Sequence, residues 1–418
     1  MKSLLLSIFL LSSILLPGVS SSQKKGSDFL KKLLWKEGST QLKNVFLQPD
    51  TFRYQLIYTK IDRDKNNNAH FKNYYYNVDH DEYFNPASTV KMPLAFLALE
   101  KINTLKQYGI DKFTPMLTDS SWSGQSAVVS DTSSLIGLPS VAQYIKKIFL
   151  VSDNDAYTRL YEFLGQQHIN ERLSQMGYKD IRITRRFVPM NTDENRHSNS
   201  IRFIENKKIL YRQPPAYNKD SFDFSKKILM GRAHYDRNDS LINTPMDFTT
   251  HNNISLEDLR KILQSVLFPA SVSAKQRFNL TPDDYKFLYQ YMSKFFFESE
   301  HPKYDTTEFF NSYTKFFMFK SGHTPIPSYI RVFNKPGWSY GFLTDVAYIV
   351  DFKNKVEFML IVVIYVNSDG VLNDDKYDYD EIGYPFFKEV GNIIYQYELE
   401  RKRKFIPDLS KFQLQYDK

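Results

Sequence analysis

Phe84-Asn85-Pro86-Ala87-Ser88-Thr89-Val90-Lys91-Met92-Pro93-Leu94 sets a hydroxyl and an amine one helical turn apart at the head of an apolar run. On a helix Ser88 and Lys91 share a face, so an unprotonated lysine can take the serine proton and leave an alkoxide nucleophile. The run carries Val90, Met92, Leu94, Ala95, Leu97, Ala98 and Leu99 and is apolar nearly all round, which predicts a buried helix from about Ser88 to Leu105. Pro93 falls in its first two turns, where a bend is expected. The pair alone is weak, because Ser-x-x-Lys also occurs at Ser21/Lys24, Ser22/Lys25 and Ser312/Lys315. Its meaning depends on what surrounds it.

Two more motifs follow in order. Ser152-Asp153-Asn154 lies between a helical run, Val141 to Leu150, and a second, Ala156 to Leu164, and reads as a loop between helices. Lys335-Pro336-Gly337 stands just before Trp338 to Asp351, whose Tyr, Phe, Val and Ile content reads as a strand. Together these three resemble the Ser-x-x-Lys, Ser-Asp-Asn and Lys-Thr-Gly set of class A β-lactamases and penicillin-binding proteins.

The rest of the chain has a compatible order. A short helix is expected from Asp28 to Leu34, then a strand from Phe52 to Asp62, a turn at Asn66-Asn67-Asn68 and a return strand from Phe71 to Val78. Helical segments follow at Pro139 to Leu150, Asp155 to Leu164, Leu256 to Leu267 with Ser255 as cap, and Pro282 to Phe297. Between Arg186 and Asn253 the chain is polar and aromatic without a steady period, as in a long decorated loop or small insertion. A second hairpin, Trp338 to Asp351 and Lys355 to Asn367 around Phe352-Lys353-Asn354, precedes an amphipathic helix from Pro385 to Arg401.

Strands at both ends enclosing helices imply an α+β fold. Its antiparallel sheet with flanking helices would come from residues 23–85 and 318–418, and an all-helical domain from 86–317 would interrupt it, with a long insertion at about 192–250. The serine then falls where the halves meet, a usual place for a ligand cleft.

Bulk properties narrow the function. Met1-Lys2-Ser3, the apolar run Leu4 to Leu16 and then Pro17-Gly18-Val19-Ser20-Ser21 read as a secretory signal peptide over 1–21. The expected location is therefore periplasmic or secreted, without stable membrane insertion after cleavage, or anchored if the segment is retained. With no cysteine the chain has no disulfide and no thiolate metal site. The net charge of +8 is interleaved with acids and reads as a solvated surface, and no motif supports nucleic-acid binding. No Gly-x-Ser-x-Gly elbow, His-Glu-x-x-His helix or phosphate-binding glycine loop is present, and no cofactor or metal is implied.

The resemblance implies the roles. Ser88 is the nucleophile and Lys91 its base; Ser152 relays a proton to the leaving nitrogen, and Asn154 holds the substrate amide and orients Lys91. Lys335 faces the cleft and attracts a substrate carboxylate. The oxyanion hole would be the N–H groups of Ser88 and Trp338, beside Gly337 and Ser339 in the substrate-binding strand. Two departures matter. Pro336 stands where the family carries a threonine or serine, so a carboxylate-binding hydroxyl is missing unless Ser339 replaces it. In Arg186-Phe187-Val188-Pro189-Met190-Asn191, Val188 occupies the place of the glutamate that activates the deacylating water, and a valine accepts no proton. Asp193, Glu194 and His197 are the nearby substitutes.

The expectation is an exported serine hydrolase of β-lactamase type, acylated at Ser88 by a small-molecule lactam or peptide amide. Two alternatives stay open: a slow-deacylating penicillin-binding D,D-peptidase or acyltransferase on cell-wall peptides, and a non-catalytic envelope or wall-peptide binding protein. A further expectation is that Tyr211, Tyr217, Phe222, Phe224 and Tyr235 cover the cleft. Oligomeric state is not legible.

Overall fold

The computed structural model describes residues 25–416 apart from 123, 179 and 180, so the signal-like segment 1–21 lies outside the described residues. Its frame is a five-stranded antiparallel sheet. The strands are β1 (Gln55–Arg63), β2 (Ala69–Tyr76), β3 (Ile330–Ser339), β4 (Phe342–Asp351) and β5 (Val356–Tyr365), in the spatial order β3-β4-β5-β1-β2. Each strand has a sequence neighbour beside it, and only the β1–β5 pairing joins the two ends of the chain. All residues of β4 and β5 are buried, which explains why they read as unbroken apolar runs rather than alternating ones.

Alternation along the strands still separates two cores. Leu56, Tyr58, Leu343, Ala347, Leu360 and Val362 pack with α1 (Asp28–Glu37) and the closing helix Tyr384–Glu400. Ile57, Ile61, Val346, Tyr348, Met359 and Ile361 face the mid-chain helices. Among these are α2 (Lys91–Thr104), α3 (Val141–Val151), α4 (Asn154–Leu164), Leu256–Leu267 and Pro282–Ser293. Helix α2 is buried from Lys91 to Glu100, as its all-round apolar character requires. Pro93 is its third residue, where the backbone N–H has no intrahelical partner anyway, so no bend is needed.

The region 192–250 folds into short strands. Ile201–Glu205 and Lys208–Gln213 form a hairpin beside Met116–Thr118, and Ala233–Tyr235 pairs with Leu241–Ile242 and with Val371–Leu372 just after β5. Another correction concerns the third motif. Lys335-Pro336-Gly337 lies within β3 rather than before a strand, and the hairpin turns at Tyr340-Gly341, with φ of 51° and 79°. This two-residue turn with both φ positive matches the twist of the flanking strands.

One buried ion pair ties the two chain ends. Arg63 of β1 donates to both Glu357 oxygens of β5 at 2.6 and 2.7 Å, and Tyr348 of β4 adds a third hydrogen bond at 2.7 Å. Removing the acid leaves a buried guanidinium without its counter-charge. Glu357→Ala is therefore expected to lower unfolding free energy by about 3–5 kcal/mol in urea titration, with Glu357→Gln losing less.

Candidate active site

Ser88 sits in a short 3-10 turn, Ala87–Val90, that leads into α2. Its neighbour Ala87 has φ 45°, a strained conformation for a residue with a Cβ. Local hydrogen bonds hold it: Ala87 N–H donates to Asn85 Oδ1 at 3.0 Å, and the Thr89 hydroxyl donates to Pro86 O at 2.6 Å. The Ser88 hydroxyl has no hydrogen-bond partner among the described residues and lines a cleft of about 740 Å³.

Ser152 ends α3 with φ 64°, and Asp153 caps α4 by accepting from Ala156 N–H at 2.8 Å. The sequence Ser-Asp-Asn is thus a left-handed stop followed at once by a helix start. That geometry aims three oxygens at Lys91. Its Nζ donates to Ser152 O at 2.5 Å, to Asn154 Oδ1 at 2.6 Å and, more weakly, to Ser152 Oγ at 3.4 Å. Lys91 is 0% exposed, and this burial brings its pKa down to about 7 against the opposing charge of Asp153. Both protonation states are then accessible near neutrality.

Lys335 meets the same serine from the other side. Its Nζ donates to Ser152 Oγ at 2.8 Å and to Pro336 O at 2.7 Å. It does not face the cleft as expected: it is fully buried behind it, and burial, then the Lys91 charge, lower its pKa well below the usual lysine value. Residues 88–91, 152–154 and 335–337 therefore converge through two lysine amines on one hydroxyl.

The strand register shows why Pro336 and Gly337 suit their places. Ser339 pairs with Phe342 across the two-residue turn, so odd-numbered residues of β3 bond to β4 and even-numbered ones point their N–H and C=O away from it. The carbonyls of Val332 and Pro336, which accept from Lys315 and Lys335, obey this rule. Pro336 consequently loses no ladder bond, since it sits on the open edge. Trp338 N–H points out from the same edge. Gly337 packs against the serine turn so closely that a Cβ there would lie 2.8 Å from Ser88 N and 2.9 Å from Pro86 O. Trp338 and Ser339 line the cleft, as do Ser88 and Asn154.

The remaining wall departs from expectation. Val188 and Pro189 line the cleft, but Asp193, Glu194 and His197 do not. Asp193 accepts from Tyr217, Glu194 caps Asn191 N–H, and His197 stacks on Trp122. Of the five aromatic residues expected to cover the cleft, only Tyr235 lines it. Tyr211 packs on Tyr108, Tyr217 on His197, and Phe222 lines a different hollow. Sequence reading missed His234, Arg237, Asp247, His251 and Arg185 as cleft residues. The Arg185-Arg186 doublet was the one visible signal. Ser312/Lys315, another Ser-x-x-Lys pair, is structural: Ser312 donates to Phe319 O, and Lys315 donates to Met292 O, Val332 O and Asn334 Oδ1.

A model of the beta-lactamase enzyme family matches residues 39–397. Among solved structures, a beta-lactamase from Xanthomonas campestris is 14% identical, with 88% of this chain and 97% of that chain covered and a TM-score of 0.49. A reconstructed ancestral class A beta-lactamase is 15% identical, covering 88% of this chain and 99% of its own, with a TM-score of 0.48. No curated protein matches the chain.

Gly337→Ala is expected to push β3 off the serine turn, because the clashing atoms are backbone. With Ser88 in the nucleophile role the family resemblance implies, its rate of covalent reaction should fall by at least about a hundredfold, as reacting groups displaced by about 1 Å lose that much. Stopped-flow acylation measures the rate, with circular dichroism to establish that the fold persists.

Proposed function

The chain belongs to the beta-lactamase enzyme family, and from that membership we propose that it is an exported serine hydrolase acylated at Ser88 by a lactam or amide carbonyl. The observation that carries this reading is the meeting of Lys91 and Lys335 at Ser152, beneath a cleft into which the unpaired Ser88 hydroxyl opens.

The chemistry follows from the positions. Neutral Lys91 takes the Ser88 proton, and Oγ bonds to the substrate carbonyl carbon. Negative charge moves to the carbonyl oxygen, for which the Ser88 and Trp338 N–H groups are the fixed donors. When the carbon–nitrogen bond breaks, the proton passes from Lys91 through Ser152 to the leaving nitrogen, and Asn154 and Lys335 hold that path in place. Lys91 must be unprotonated, so acylation is expected to rise with pH about a midpoint near 7 and to flatten above it. Lys91→Arg cannot lose its proton and should abolish the reaction, as read by the pH dependence of the second-order acylation rate.

Slow hydrolysis of the acyl-enzyme, as in penicillin-binding enzymes, is favoured over fast β-lactamase turnover by the cleft itself. Its carboxylates are Asp236 and Asp247, and each accepts backbone N–H groups of its own turn. Val188 supplies no proton acceptor. A fluorescent penicillin should leave a lasting label on the protein that is absent in Ser88→Ala, and in the native host that label should appear in the envelope or secreted fraction on a chain shortened at its N-terminus. Val188→Glu should release the label at least about tenfold faster, as an added general base does. A label that survives Ser88→Ala would remove this reading.

A further inference from the structure

The cleft holds a cation that the reaction does not use. Arg185 lines it, half-buried, and its guanidinium donates to the His251 ring. That partner carries no charge: burial, then the neighbouring Arg185, bring the His251 pKa down to about 3. No carboxylate lies within ion-pair distance of Arg185 among the described residues, although its backbone is clamped. Asn252 Oδ1 accepts from Arg185 N–H at 2.9 Å, and Tyr157 donates to Arg185 O at 2.8 Å.

The other charged residues of the lining do not compensate. Arg186 faces buried Glu162 at 3.5 Å, a carboxylate it shares with Arg159, whose other partner is Asp155, so these four charges balance among themselves. Asp236, held by Asn238 and Ser240 N–H, and Asp247, held by Thr249 N–H, keep their charges, but neither lies within ion-pair distance of Arg185, and the field at Arg185 comes from tyrosines and Arg237. Arg237, exposed on the rim hairpin, adds a second positive charge whose field reaches Arg185. A half-buried guanidinium left without a counter-ion in an open cleft is a site prepared for one brought by a ligand.

Its position says which part of the ligand. Ser152 and Lys335, which serve the leaving nitrogen, lie at the Lys335 end of the site, whereas Arg185 lies beside His251, whose ring meets Tyr340 at the turn end of β3. Tyr340, in the turn, is five residue steps beyond Lys335, a span of up to about 16 Å at ~3.3 Å per residue. A carbonyl held at Trp338 N–H between these ends would direct its nitrogen toward Ser152 and its acyl chain toward Arg185. The Lys335 end offers little to an anion, because Lys335 is buried and hydrogen-bonded and Pro336 has no hydroxyl.

We propose that Arg185 is the anion-binding residue of the cleft and that the preferred substrate is an amide or lactam whose acyl side chain ends in a carboxylate. This assignment rests on acylation at Ser88, and its test separates the two. The probes are two lactams with one ring nucleus, one carrying a glutaryl side chain and the other its neutral glutaramide counterpart. Calorimetric binding to Ser88→Ala protein reads the subsite without chemistry. The acid is expected to bind about tenfold tighter than the amide, the range of one hydrogen bond to a charged group. In Ser88→Ala with Arg185→Gln that preference should shrink to about one, and with Arg185→Lys part of it should persist. Equal affinities in the Ser88→Ala protein, or a preference that survives Arg185→Gln, overturn the assignment. Acylation rates of the unsubstituted protein form the other arm. A binding preference without any acylation would remove the hydrolase reading and leave the Arg185 site standing, whereas acylation at equal rates with equal affinities would remove the site alone.

Discussion

A lysine amine with no exposed surface, held by Ser152 O and Asn154 Oδ1, is the constraint on which the rest of the site depends. Burying an ammonium is costly unless oxygens surround it or it gives up its proton, and Lys91 is poised between these outcomes. The poise requires that α2 be enclosed on all sides, which its apolar composition achieves. It also requires that the oxygens come from a segment distant in sequence. The α3–α4 junction supplies them by stopping one helix at Ser152 in a left-handed conformation and starting the next immediately.

Backbone strain recurs at these points. Ala87 and Ser152 both have positive φ without being glycine; Ala87 adjoins Ser88, and the Ser152 hydroxyl accepts from both lysine amines. Such conformations cost of order 1–3 kcal/mol each and persist where the surroundings over-determine them. Here the close approach of Gly337 to Ser88 N and the hydrogen bonds within Asn85 to Thr89 supply that determination. The glycine is required by distance rather than by φ, because β3 must lie against the serine turn for its edge N–H groups to meet the cleft.

The cleft wall follows a different logic from the floor. The floor is made by regular elements with fixed register, so it tolerates little change. The wall is built partly by the hairpin Ala233–Tyr235 and Leu241–Ile242, docked through parallel pairing with Val371–Leu372. Residues at its turn can vary without disturbing the floor, which makes it a place where the charge of the cleft is set independently of the floor.

The sequence by itself determined the chemistry-bearing types and the frame. Ser88 with Lys91, the apolar α2, the Ser-Asp-Asn junction and strands at both chain ends are all written in local spacing and periodicity, which short-range sterics and hydrophobic patterning enforce. It also showed that Val188 brings no proton acceptor. The boundary of β3 was not legible, because Asn334-Lys335-Pro336-Gly337 carries poor strand propensity that pairing with β4 overrides. Only the tertiary structure decided that Lys335 is buried beneath Ser152 instead of facing the cleft, that Asp193, Glu194 and His197 turn to other partners, and that Arg185 is left without a counter-charge. Burial, charge balance and cleft membership depend on which distant segments pack together, and no local pattern of residues encodes that.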